Sequence, residues 1–169
     1  MFRLPPSLKV VALAAALVLP AALPAVAGPA ETALLGKYAG EWRGSGKVVG
    51  PDPGTVVCRM TFKTSSAGKL SYSGRCSFGG SGAASFRGTM LYNDARKRYE
   101  ASSSAQGVST TTIGKKQGSG IVFAANGMQT RYGNASSTMT LAGNAIKLNF
   151  KLVDKKGATT SSSITFGKN

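Results

Sequence analysis

From Trp42 onward, apolar and polar residues alternate every second position, the period of a strand with one buried face. The stretch Thr55 to Phe78 shows it best. Val56, Cys58, Met60 and Phe62 share one face, and Val57, Arg59, Thr61 and Lys63 share the other. After Ser66-Ala67-Gly68 the alternation resumes, with Leu70, Tyr72, Gly74, Cys76 and Phe78 set against Ser71, Ser73, Arg75 and Ser77. A three-residue loop ending in glycine suits a type I turn followed by a left-handed residue, and such a loop fixes the pairing of its strands. Ser65 then pairs with Lys69, Phe62 with Tyr72, Met60 with Gly74, and Val56 with Phe78. The same register sets Cys58 opposite Cys76, the only two cysteines in the chain. Directly opposed residues lie about 4.5–5.5 Å apart between Cα atoms, within the span of a disulfide. A Cys58–Cys76 bond is therefore predicted. The competing reading, a reactive thiol pair, is usually written Cys-X-X-Cys at a helix start.

Further hairpins follow the same rule. Phe86, Gly88, Met90 and Tyr92 alternate up to Asn93-Asp94-Ala95-Arg96, and Tyr99, Ala101 and Ala105 alternate back. Val108 to Lys116 is a Thr-rich strand. Ile121, Phe123 and Ala125 lead to Asn126-Gly127, which predicts a two-residue hairpin turn before Met128, Thr130 and Tyr132. Met139 and Leu141 lead through Gly143-Asn144 to Ile146, Leu148 and Phe150, and Asp154-Lys155-Lys156-Gly157 turns the chain into a last strand holding Ile164 and Phe166. About ten strands result, joined in sequence by short loops. An open sheet of that size would leave two edges and one apolar face exposed; closing it removes both problems. A two-sheet sandwich usually needs longer crossings. The expected fold is all-β: an antiparallel up-and-down β-barrel of about ten strands over residues 40–169. Residues 28–39 precede it as a separate segment. In this segment Glu31 to Tyr38 predicts one or two helical turns, ended by Gly40.

The first 27 residues read as an address. Arg3 and Lys9 form a positive n-region, Val10 to Leu19 is apolar, and Ala25-Val26-Ala27 offers small residues where a signal peptidase cuts. Pro20 and Pro24 break the run before the roughly 20 apolar residues a membrane span needs. Residues 1–27 are thus expected to be a secretory signal peptide. The mature chain would be periplasmic or secreted from a bacterium, where a disulfide persists, with no transmembrane segment left.

Composition narrows the chemistry. The 169 residues include 21 Lys plus Arg, 6 Asp plus Glu and no His. Without histidine there is no Ser-His-Asp or Cys-His unit and no His-held metal or haem. The six acids are Glu31, Glu41, Asp52, Asp94, Glu100 and Asp154. Asp52, Asp94 and Asp154 fall in turns, where Asp caps its own backbone, and no two acids are placed to face each other. Ser–Lys chemistry stays open. The expectation is a protein that is not an enzyme, with no catalytic residues, no metal and no cofactor.

The string Tyr38-Ala39-Gly40-Glu41-Trp42-Arg43-Gly44-Ser45-Gly46 opens the first strand. Gly-X-Trp after a short helical turn resembles the start of lipocalins and other calycin barrels, and the Trp-X-Gly-X-Gly continuation resembles nitrobindin-like barrels. With CRMTF and SGRC, the same string is similar to uncharacterised exported proteins of alphaproteobacteria. The likeness spans roughly residues 40–78. It implies a barrel whose tryptophan plugs the closed end and whose interior holds a ligand, with Gly40, Trp42, Gly44 and Gly46 in structural roles. The nitrobindin-like haem ligand is a histidine, so haem binding does not carry over. Small periplasmic inhibitors of secreted metalloproteases also pair a Gly-X-Trp start with two cysteines on neighbouring barrel strands; that resemblance makes Gly28 to Ala33 a trunk for a protease cleft.

Two faces are left as candidate sites. Inward-facing Val56, Met60, Phe62, Tyr72, Phe78, Phe86, Met90, Tyr99, Ile121 and Phe123 either fill the interior or line a pocket for a small apolar or amphipathic ligand. Later strands place Ser, Thr and Ala inward, which leaves room. An outer-membrane barrel would reverse the faces, but the Ser/Thr-rich strands lack a continuous apolar band. On the polar face, Arg59, Lys63, Arg75 and Arg87 form a candidate basic patch, with Arg59 set opposite Arg75. Such a patch serves solubility, an anionic envelope surface or a protein partner. Nucleic acid is not expected as a partner.

Overall fold

A computed structural model of the chain describes residues 27–65, 67–79 and 82–169. The expected signal peptide lies outside the described residues except for Ala27, and so does Ser66 of the first hairpin loop. Among the described residues the chain forms one helix, α1 (Ala27–Gly36), and ten strands: β1 (Gly40–Val49), β2 (Gly54–Thr64), β3 (Leu70–Phe78), β4 (Gly82–Asn93), β5 (Arg98–Ala105), β6 (Val108–Gln117), β7 (Gly120–Thr130), β8 (Gly133–Ala142), β9 (Ala145–Asp154) and β10 (Thr159–Lys168). Each strand pairs antiparallel with its neighbours in sequence, and β10 returns to β1, so the sheet closes into a barrel. No described helix is long and apolar enough to cross a membrane.

The β2–β3 register is the one the three-residue loop dictates: Val56 faces Phe78, Met60 faces Gly74, and Phe62 faces Tyr72. Gly68 takes a positive φ of 70°, the left-handed residue the turn requires. Cys58 and Cys76 are directly opposed with Cα atoms 4.0 Å apart, and they are disulfide-bonded. Both are buried on the inner face.

Closure depends on β1 being thin. Gly44 faces Phe166 and Gly46 faces Ile164 across the β1–β10 ladder. A methyl group on Gly44 would stand 2.8 Å from the Phe166 ring. The glycines of the opening motif thus give room for the last strand's two large apolar side chains. Trp42, 1% exposed, donates its indole N–H to the Tyr38 carbonyl at 2.9 Å, and the Lys168 ammonium lies 5.7 Å from the centre of its ring.

Two expectations are corrected. The helix spans 27–36, not 31–38. Pro29 falls in the first turn, where its missing N–H breaks no helical hydrogen bond, so the helix begins four residues earlier. It unwinds at Gly36 through tightened turns from Tyr38 N–H to the Leu35 carbonyl (3.0 Å) and from Ala39 N–H to the Gly36 carbonyl (3.1 Å). Asn126-Gly127 is not a hairpin turn. The register of β7 on β8 shifts by one residue between Ala125 and Met128, with Gly127 at φ 64°, so the pair forms a β-bulge inside one long strand. The true turn is Arg131-Tyr132, held by the Thr130 hydroxyl, which accepts from Tyr132 N–H (3.1 Å) and Gly133 N–H (3.2 Å). Tyr132 is consequently 55% exposed and stacks with Arg131.

The helix covers one end of the barrel. Leu35 is fully buried and Tyr38 is 2% exposed beside Trp42. The Glu31 carboxylate accepts from the Tyr99 hydroxyl and from the Lys116 ammonium (2.9 Å). Those two donors hold the Glu31 carboxyl below its ordinary value, Tyr99 before Lys116. Burial, and then the Glu31 carboxylate, push the Tyr99 phenol up. Residues 28–33, the trunk of the inhibitor resemblance, are wound into this docked helix, with Gly28 packed against Asp94.

Two predictions follow from these contacts. The disulfide bridges a separation of 18 residues, which the chain-entropy treatment values at roughly 3 kcal/mol. Cys58→Ala/Cys76→Ala is expected to lower the melting temperature by roughly 10 °C, and a thiol assay of unfolded, unreduced protein should find no thiol; two titratable thiols would refute the bond. Glu31 has a folded-state pKa below its unfolded 4.5, so its contribution is complete above about pH 4.5 and fades as pH falls through the folded value. Tyr99 is raised, so its contribution holds below about pH 10 and fades at more alkaline pH. In urea titrations, Glu31→Gln should cost about 1 kcal/mol at pH 7, because the site is partly open to solvent. The gap to wild type should narrow below pH 4.5, and a gap that widens in acid would reject the clamp.

Candidate functional site

The inner face divides into two halves. At the helix-covered end, Trp42, Met60, Phe62, Leu70, Met90, Tyr99, Ile121, Leu141, Ile146, Ile164 and Phe166 are all 3% exposed or less. Of the ten expected lining residues, Val56, Met60, Phe62, Tyr72, Met90, Tyr99, Ile121 and Phe123 are inward and buried in this continuous core. Phe78 and Phe86 are inward but only partly buried. Aromatic packing runs through the set: Phe62 to Tyr72 at 5.4 Å and Tyr72 to Phe86 at 6.3 Å between ring centres. The Tyr72 hydroxyl hydrogen-bonds Ser103 inside the wall, and burial pushes its phenol up.

Toward the opposite end some inward positions are only partly buried, namely Val48 on β1, Val108 on β6, Met128 on β7, and Phe150 and Leu152 on β9, while Val56, Cys58, Cys76 and Ala135 stay buried there. No helix covers this end among the described residues. Between the large side chains, Thr110 and Thr112 of β6, Ser137 of β8 and Thr160 and Ser162 of β10 face inward. The Ser162 hydroxyl is buried and has no hydrogen-bond partner among the described residues. Val48, Phe150, Leu152 and Met128 belong with Phe78 and Phe86 as lining. Phe150 continues the Ile146–Leu148 alternation and was legible from it, whereas Met128 keeps its inward direction only because of the bulge.

The outer face gathers the basic residues. Arg59, Lys63, Arg75 and Arg87 border two adjoining hollows of about 630 and 610 Å³ across β2 to β6, which share Thr61, Ser73, Arg87 and Ser104. Arg59 stands opposite Arg75, as the hairpin register requires, and also opposite Arg43 of β1. Arg43 is thus a missed member of the row; its place depends on the β1–β2 pairing, which the Pro51-Asp52-Pro53 loop sets. Among the described residues none of these five cations takes part in an ion pair. Glu100 is engaged elsewhere, by Arg98 at 2.7 Å and Asn93 at 3.3 Å, and these contacts lower its pKa. Among the described residues no cluster of three His, Cys, Asp or Glu could hold a metal ion.

No protein-family model matches the sequence, and no curated protein matches it either. Solved structures do match the fold. The chain is similar to Rv2717c from M. tuberculosis, with a TM-score of 0.62 and 15% identity over 83% of this chain and 98% of that one. It is also similar to the S-type phycobiliprotein lyase CPES from Guillardia theta, with a TM-score of 0.58 and 10% identity over 84% of this chain and 93% of that one. At these identities the likeness establishes a shared antiparallel barrel, consistent with the calycin-like architecture that the opening motif resembles.

Proposed function

We propose that this chain is an exported, non-enzymatic, calycin-like barrel that takes a small apolar or amphipathic ligand at its uncovered end. The observation that carries the reading is the unequal burial of one continuous inward face. The helix-covered half is sealed by Leu35, Tyr38 and Trp42, while Val48, Phe150 and Leu152 keep part of their surface accessible. Concave apolar surface with a few polar groups is the usual make-up of a small-molecule site. The partly accessible inward hydroxyls of Thr110, Ser137 and Thr160 give such a ligand's polar end hydrogen-bonding groups. A phycobiliprotein lyase among the fold neighbours supports the use of this barrel scaffold for small-molecule work.

The non-enzymatic part of the reading has its own support. Glu31 clamps the helix, Glu100 is tied to Arg98, and Asp154 caps its turn through Lys156 N–H and Ala158 N–H at 2.8 Å each. Glu31 and Glu100 lie at the helix-covered end, and Asp154, at the uncovered rim, is held by its own turn. The buried disulfide and the N-terminal signal pattern support export.

The neutral dye N-phenyl-1-naphthylamine tests the site by its fluorescence gain in an apolar environment. Wild-type protein should bind it saturably. Phe150→Ala/Leu152→Ala should weaken binding roughly tenfold, equivalent to about 1.4 kcal/mol, the order expected for losing two partly buried apolar side chains. Arg59→Gln on the outside should leave it unchanged. Absence of saturable binding, or binding indifferent to the double substitution, would reject the proposal.

A further inference from the structure

The outer groove is a second site with different chemistry. We propose that it binds an extended anionic glycan. Its two hollows form one depression across the outer faces of β2 to β6. Four strand-to-strand steps of about 4.8 Å give it a length of about 19 Å, enough for several sugar rings. The lining has an unusual composition: three guanidinium groups, one ammonium, Ser and Thr hydroxyls from all five strands, and no carboxylate.

Charge distribution supplies the second argument. Arg43, Arg59 and Arg75 are direct cross-strand neighbours in one row. Like charges placed so destabilise a sheet, and here nothing offsets them beyond one contact from Arg75 to the Ser85 hydroxyl at 3.4 Å. Ion pairs elsewhere hold only Arg96 and Arg98, with Glu100, and Lys116, with Glu31, among the described residues, so what sets this row apart is the direct opposition of three guanidinium groups. Two carboxylates border the groove. Glu41 stands opposite Thr61, and Glu100, two residues from Ser102, is already engaged by Arg98. The unpaired row lacks an anion, and guanidinium groups meet carboxylate or sulfate with two parallel hydrogen bonds.

The remaining features select the class of anion. Hydroxyl-rich walls match the hydroxyls of a sugar chain. Single-stranded nucleic acid needs aromatic rings to stack its bases, and the aromatic residues at this groove, Tyr72 and Phe86, belong to the inner face. A lipid surface would engage the exposed cations through headgroup phosphates alone, whereas the hydroxyls of all five strands add partners for sugar rings.

The test compares two triple variants of equal charge in the purified protein. Arg59→Gln/Arg75→Gln/Arg87→Gln empties the groove of guanidinium. Lys147→Gln/Lys151→Gln/Lys155→Gln removes as much charge from β9 and its following turn. Calorimetric titrations use a heparin hexasaccharide as the sulfated probe and hexagalacturonate as the carboxylated one. At least one should bind wild-type protein, with affinity falling at least tenfold in the groove variant and less than twofold in the β9 variant. Circular dichroism should show both variants folded, and the groove variant should melt no lower than wild type, since it removes opposed like charges. Should the groove variant fail to fold, Ser73→Asp, which puts a carboxylate among the arginines, must give the same loss. Equal losses in the two triple variants would mean net charge alone and would overturn the proposal. So would no binding of either probe, or an equal groove dependence for an oligodeoxynucleotide or for phosphatidylglycerol vesicles.

Discussion

Pairing of the first strand with the last is the contact on which the molecule depends. Eight residue pairs, from Trp42 with Lys168 to Val49 with Ser161, turn a meander with two open edges into a barrel with none. The contact joins strands at opposite ends of the barrel sequence, so it forms at a high loop-closure cost and needs specific surface to hold it. Gly44 and Gly46 supply that surface by omission. Phe166 and Ile164 sit over them and reach the core, where both are nearly fully buried. Larger residues in β1 would hold β10 off and leave the sheet open.

Closure alone does not distinguish one end of a barrel from the other. Helix α1 does. It brings Leu35 and Tyr38 against Trp42 and ties itself to the β5 and β6 strands through Glu31, Tyr99 and Lys116. Most of the large inward side chains beneath it are nearly fully buried, whereas Val48, Phe150 and Leu152 beyond it are only partly so. The lesser burial of Val48, Phe150 and Leu152 therefore falls at the end that this short helix leaves uncovered. The external basic groove is independent of that difference, because it uses the alternate residues of the same strands.

Much of this was legible from alternation and turn chemistry. The β2–β3 register, the disulfide and the burial of Val56, Cys58, Met60, Phe62, Leu70, Tyr72 and Cys76 follow from one three-residue loop ending in Gly68, and the structure bears them out. Local rules failed where a distant partner decided the outcome. Asn126-Gly127 has the composition of a hairpin turn, but β8 extends far enough to pair past it, so the same left-handed glycine became a bulge. The early start of α1 was hidden because its residues show little amphipathic pattern; the helix is held by a few contacts at its end, not by a long apolar face. Arg43 could not be assigned to the basic row from its own surroundings, since its neighbours Arg59 and Arg75 come from other strands. The half-exposed lining at Phe150 and Leu152 required knowing which end the helix covers.

Xenon binding offers the most direct test of an accessible apolar interior, because the gas occupies apolar cavities without needing a specific contact. Crystals pressurised with xenon should show the atom among Val48, Phe150 and Leu152, and none among Trp42, Phe62 and Phe166. Absence of xenon from the uncovered half, or its appearance beneath the helix, would contradict the account.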